Sequence, residues 1–148
     1  MKIIIVHYKF FIQGGPERYL FKFMELAKEQ GHDIIPFSIK YKNNLHSDYT
    51  SFFVGNNNIS KSFKLKNYNI FTLAKGFINE FSNHEADVKF KRLIKLVSPD
   101  VIYALIPGQL NNNIFKIAHK YGIPTIHRVS DFRMICGNNI LLNKERHI

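Results

Sequence analysis

The stretch Lys2-Ile3-Ile4-Ile5-Val6-His7, followed beyond Gln13 by Gly14-Gly15-Pro16-Glu17-Arg18-Tyr19-Leu20, decides how the chain is read. The apolar run fits a strand, the glycines a tight connection, and Pro16 the first position of a helix, where its missing N–H is no loss. Gly14 and Gly15 are able to take positive φ and to let a ligand approach the backbone. The free N–H groups of the first helical turn favour an anion there. The same two glycines also suit a strand-to-helix turn with no ligand, and Gly-Gly-Pro alone is a weak signal.

Working outward, Leu20, Phe23, Met24 and Ala27 fall at i, i+3, i+4 and i+7, with Lys22, Glu25, Lys28 and Glu29 opposite, which predicts a helix over 16–30 ended by Gly31. Asp33 leads into a strand over 34–39, apolar enough to be buried on both faces, and so completes a β-α-β unit. From 40 to 66 the pattern loosens into Asn-rich turns with one short strand at most, and Phe63-Lys64-Leu65-Lys66 suits either a lysine-faced edge strand or a patch against an anionic surface. Helices are predicted over 70–81 and 84–97, the second stopped by Ser98-Pro99 and carrying Lys89, Lys91, Arg92 and Lys95 on a solvated side. A strand over 101–106 then passes Pro107-Gly108 into a helix bearing Leu110, Ile114, Ile117, Ala118 and Tyr121. Gly122 caps that helix before a strand over 125–129. The fold class is therefore α/β, a Rossmann-like parallel sheet with helices on both faces.

With 148 residues, 45% of them hydrophobic, the chain is expected to form one domain. No apolar run reaches the roughly 20 residues of a membrane span, and Met1-Lys2-Ile3 enters a strand without a signal-peptide layout, so a cytoplasmic location is expected. Cys136 is the single cysteine, which excludes an internal disulfide and a cysteine-based zinc cluster within the chain. The net charge of +10 implies an acidic partner but does not separate nucleic acid, a membrane surface and a phosphorylated small molecule. The abundance of Asn, Ile, Lys and Phe is also what a genomic base bias produces, which discounts the charge.

In an open α/β sheet, ligands bind beyond the carboxyl ends of the strands. That rule selects His7 with Gly14-Gly15, the segment 40–42, Pro107-Gly108, and Ser130-Asp131-Phe132-Arg133. Arg18, Lys40, Arg128 and Arg133 supply positive charge, and arginine can hold phosphate or carboxylate in a bidentate way. Asp131 is the candidate catalytic residue, as a base or to orient a hydroxyl, with hydrogen bonding to its own loop as the alternative. His7 has no identifiable partner in the sequence and is equally a histidine packed at a strand end. The histidines have no metal-ligand spacing, no Ser/His/Asp arrangement is visible, and neither G-x-G-x-x-G nor a P-loop is present, so no metal and no cofactor is expected.

Residues 1–20, Gly31-His32-Asp33, Ser98-Pro99-Asp100-Val101-Ile102 and 124–136 together resemble the N-terminal domain of glycosyltransferase family 4, the large retaining family with the GT-B fold. Gly14-Gly15-Pro16-Glu17-Arg18 looks like the family's Gly-Gly-Ala-Glu-Arg turn, Pro99-Asp100-Val101 like its Pro-Asp-Val-Val lead-in, and the segment 130–136 like its His-Asp-aromatic stretch. The resemblance spans nearly the whole chain and implies that 1–148 is an incomplete acceptor-side domain. The nucleotide-sugar donor would be held by a second, Rossmann-like domain with a Glu-x7-Glu motif, which this chain lacks, so the chain alone is expected to be inactive. The acceptor implied is lipid-linked or a saccharide, with an anionic membrane surface on the cytoplasmic side as a further partner. Substrate-binding residues carried over are Gly14, Gly15, Arg18, Ser130, Asp131 and Arg133, with Ser130 standing where the family commonly has His. The alternatives are a non-catalytic basic module for anionic membranes and, on charge alone, a nucleic-acid binder, which the lack of any reading motif disfavours.

Overall fold

Lys2–His7 forms β1, buried along its length from Ile3 onward, as suits a run of β-branched side chains in the middle of a parallel sheet. The computed structural model describes residues 1–56, 83–110 and 112–129. The helix predicted over 70–81, the alternation at 63–66, and Ser130, Asp131, Arg133 and Cys136 lie outside the described residues.

Helix α1, Gly15–Glu29, buries Leu20, Met24 and Ala27 against the sheet. It ends where Gly31 takes φ 77° and the N–H of His32 reaches back to the carbonyl of Ala27 at 3.0 Å, a left-handed cap that glycine adopts without strain. Strand β2, Asp33–Phe37, then pairs in parallel with β1, from Lys2 opposite Asp33 to Val6 opposite Phe37. It is shorter than the predicted 34–39. Beyond it Ile39 makes a single parallel bridge to Val54, after a 3-10 turn at Thr50–Phe52.

Helix α2, His84–Val97, is capped by Asn83, whose side chain accepts from the N–H of Ala86 at 3.0 Å. It ends at Ser98, which holds φ 47°, a left-handed conformation unusual for a non-glycine residue. Strand β3, Val101–Ile106, lies on the other side of β1, and Thr125–His127 forms β4 beside it, giving the order β2-β1-β3-β4, all parallel. Between them Gly108–Leu110 is a 3-10 turn and α3 runs Asn113–Lys120. Leu110, placed on that helix by its spacing, thus packs from the turn before it. Strand β4 also stops short of the predicted Val129.

The described residues form a Rossmann-like α/β fold. Alternation along the strands sends Ile3, Ile5, Val101, Tyr103 and Leu105 toward α1, and Ile4, Val6, Phe37, Ile102 and Ala104 toward α2 and α3. Phe90 of α2 meets Phe37 at 4.9 Å between ring centroids, and truncating either fully buried ring to alanine costs about 3–5 kcal/mol. The chain leaves β1 in one direction toward β2 and in the other toward β3, so the order reverses between β1 and β3, where open sheets form their crevice.

Candidate functional site

At the carboxyl end of β1 the glycine turn does not use the positive φ open to it. Gly14 is extended, φ −152° and ψ −162°, and Gly31, Gly108 and Gly122 are the glycines with positive φ among the described residues. The reason lies in Glu17, whose carboxylate accepts the Gly14 N–H at 2.8 Å, half of a capping box that glycine, without a side-chain oxygen, does not complete. Glu17 is buried, 4% exposed. A Cβ on Gly14 would meet only ordinary contacts, the closest at 3.4 Å, and one on Gly15 would meet nothing within 4 Å. Gly15 also precedes Pro16, where a Cβ is disfavoured in helical backbone. At Gly14, the N-cap of α1, neither backbone strain nor packing demands a glycine, and the turn is open to close approach.

Gly108 is the contrasting case. It holds φ +54°, and a Cβ there would lie 3.0 Å from the Tyr8 side chain. This contact, with the Tyr8 N–H donating to the Ile106 carbonyl at 2.9 Å, locks the loop after β1 to the loop after β3 at the switch point.

His7 is 1% exposed. Its Nδ1 lies 2.8 Å from the Lys9 carbonyl and 3.1 Å from the Lys9 N–H, while Nε2 has no hydrogen-bond partner among the described residues. Burial pushes its pKa below the ordinary value, against the opposing pull of the Lys9 carbonyl and the Glu17 charge. Ser38, one residue past the Val6–Phe37 pair on β2, is equally buried and its hydroxyl is also unpartnered among the described residues. Buried polar groups are seldom left so, and these two lie at the carboxyl ends of β1 and β2.

On the α1 side, Arg128 stacks its guanidinium on the Tyr19 ring, 3.9 Å from the centroid, and the Tyr19 and Tyr103 hydroxyls are 3.0 Å apart. The Tyr103 pKa is pushed up to about 12, by burial first and the Tyr19 hydroxyl second. On the opposite face, the Lys9 ammonium sits 4.7 Å over the Tyr8 ring and Tyr41 packs edge-on against Phe11 at 5.5 Å. Arg18 and Lys40 are exposed. The ion pairs among the described residues are Lys22–Glu25 and Lys89–Glu85, so Lys9, Arg18, Lys40 and Arg128 have no carboxylate partner there.

The structure thus brings Gly14, Gly15 and Arg18 onto one turn at the sheet's carboxyl edge, while Ser130, Asp131 and Arg133 are outside the described residues. Tyr8, Lys9, Tyr19 and Tyr103 were not anticipated beside the candidate turn, whereas Tyr41 falls within the selected segment 40–42. The available signal was a tyrosine in an otherwise aliphatic strand, Val101–Ile106, and Tyr8-Lys9 immediately after β1. Among the described residues no group of His, Cys, Asp and Glu is placed to hold a metal ion, and no helix is long and apolar enough to cross a membrane. A groove of about 540 Å³ lies at the opposite, amino edge, lined by Lys2, Lys28, His32, Asp33 and Asp48. Its charges are of both signs, so it offers no concentrated field for an ion. Comparison of the chain with protein-family models, curated proteins and solved structures finds no match.

Proposed function

We propose that the chain is the acceptor-side domain of a retaining glycosyltransferase of the family 4 type, with a lipid-linked or polysaccharide acceptor bound at the carboxyl edge of the sheet. The observation that carries this reading is the meeting, at one edge, of the uncrowded Gly14-Gly15 turn and an Arg128 guanidinium stacked on Tyr19 and free of a carboxylate among the described residues. Backbone N–H groups at a helix start and a pre-positioned arginine suit phosphate or sugar-phosphate oxygens. Gly14, Gly15 and Arg18 would face the donor from across an interdomain cleft, with Arg133, Ser130 and the candidate catalytic Asp131 on the neighbouring segment. The donor itself, a nucleotide sugar, would be held by a second domain facing this one.

The test is a titration of the full chain with a short-chain prenyl-diphosphate saccharide, alongside a turnover assay with a panel of nucleotide sugars. Saturable acceptor binding with no sugar transfer is expected. Efficient transfer by the chain alone contradicts the half-enzyme reading, and no binding to any saccharide contradicts the acceptor role.

One observation favours a second reading, binding to an anionic membrane surface. Lys91, Arg92 and Lys95 are exposed on one side of α2, beside Leu96 at 66% exposure, and each cation near an anionic bilayer contributes about 1 kcal/mol. Sedimentation with phosphatidylserine vesicles but not phosphatidylcholine vesicles supports it, and equal or absent binding removes it.

A further inference from the structure

Tyr8, Lys9 and Tyr41 lie past the ends of β1 and β2, and both tyrosines pack against the cluster on the face away from α1. Tyr8 is fixed by its close contact with Gly108, by the tilted packing of its ring on His7 at 5.2 Å, and by its backbone bond to Ile106. Lys9 holds its ammonium over that ring. Tyr41, half-buried, is braced by Phe11, and the loop carrying Phe11 is tied down by the Leu45 N–H donating to the Phe10 carbonyl at 2.8 Å. Burial raises the Tyr41 pKa, with the Lys9 charge opposing and Tyr8 reinforcing the shift, so the three groups are within electrostatic reach and Tyr41 remains a hydroxyl donor at neutral pH. The Tyr8 and Tyr41 hydroxyls have no hydrogen bond, and Lys9 no carboxylate, among the described residues.

We infer that Tyr8, Lys9 and Tyr41 form a subsite for an oxyanion, a phosphate or carboxylate carried beside the sugar that the acceptor presents; the inference rests on the glycosyltransferase reading and names the class of acceptor. An ammonium set over one tyrosine ring and two unpaired O–H donors on the same face suit an oxyanion, and a charge-assisted bond is about twice as strong as a neutral one. The tyrosine and phenylalanine rings supply flat apolar surface for the C–H face of a sugar. Because the backbone anchors are already in place, little ordering cost attends binding.

The test measures binding of glucose 1-phosphate, glucuronate and glucose to the full chain by calorimetry. Glucose 1-phosphate or glucuronate is expected to bind about tenfold more tightly than glucose, a difference of 1.4 kcal/mol, and whichever binds more tightly tells a phosphate source from a carboxylate source. Lys9→Met is expected to erase that preference, and an unchanged urea unfolding midpoint shows the fold intact. Tyr41→Phe is expected to weaken the preference, and Lys42→Met, a nearby control cation, to leave it alone. Equal binding of all three sugars, or the same loss from Lys42→Met as from Lys9→Met, overturns the subsite and leaves the glycosyltransferase reading standing. Absence of saccharide binding altogether overturns both.

Discussion

The two ends of the sheet are finished in opposite ways. At the amino end, the Lys2 N–H donates to the Asp100 carboxylate at 2.7 Å, and the Asp33 and Asp100 N–H groups donate to the Met1 and Lys2 carbonyls at 2.9 Å each, so the strand starts are tied together. At the carboxyl end, His7 Nε2 and the Ser38 hydroxyl are buried without partners among the described residues, and Lys9 and Arg128 rest on aromatic rings instead of carboxylates. A fold seeking only stability would pair these groups, since each buried unpaired polar atom costs about 1–3 kcal/mol. The difference leaves unpaired polar and charged groups at the carboxyl edge, where the proposed acceptor would bind.

The contrast can be broken most forcefully at its two kinds of glycine. Gly108→Ala places a Cβ in left-handed backbone against Tyr8 and is expected to lower stability by about 2–4 kcal/mol in urea unfolding. Gly14→Ser does the reverse: in extended backbone it completes the cap with Glu17 and gains a few tenths of a kcal/mol, yet weakens sugar-phosphate binding by crowding the turn. If Gly14→Ser leaves binding unchanged, the turn is structural only.

A smaller and pH-dependent effect belongs to His7. Because its folded pKa is depressed below the unfolded value of 6.5, the unfolded chain binds the proton first. Stability is therefore full above pH 6.5 and declines as pH falls below it, levelling off only below the folded pKa. The urea midpoint of His7→Gln, followed from pH 8 to 5, is expected to decline less than that of the unmodified chain, and identical profiles would refute this assignment. At the amino end Asp100→Ala is expected to cost about 1–2 kcal/mol, the worth of a hydrogen bond to a charged acceptor, with no change in saccharide binding. Smallest is Lys22→Ala, which breaks a pair whose side chains are 62% and 58% exposed and is expected to shift stability by less than about 0.5 kcal/mol.

Much of the fold was legible because its signals are local. Leu20, Met24 and Ala27 repeat at helical spacing, Gly31 and Gly122 stop helices, and the Ile-rich runs are long enough to name as strands. Leu110 misled because an apolar residue four before Ile114 satisfies helical spacing equally well from a preceding 3-10 turn. Gly14 and Gly15 are able to take positive φ but do not, because glycine permits that conformation without requiring it, and the Glu17 carboxylate accepts the N–H of an extended Gly14. The stacking of Arg128 on Tyr19, and the contact of the Tyr19 and Tyr103 hydroxyls, join residues far apart in the chain that only the β3–β4 pairing and the α1 crossover bring together. No periodicity encodes such a meeting.

The most direct test of the carboxyl edge as the ligand face is an amide chemical-shift map of the full chain titrated with glucose 1-phosphate. The account predicts perturbations concentrated at 7–18, 38–42, 106–110 and 128–129. Perturbations centred on Lys2, Lys28, His32 and Asp48 of the amino-edge groove, or on Lys91, Arg92 and Lys95 of α2, would contradict it.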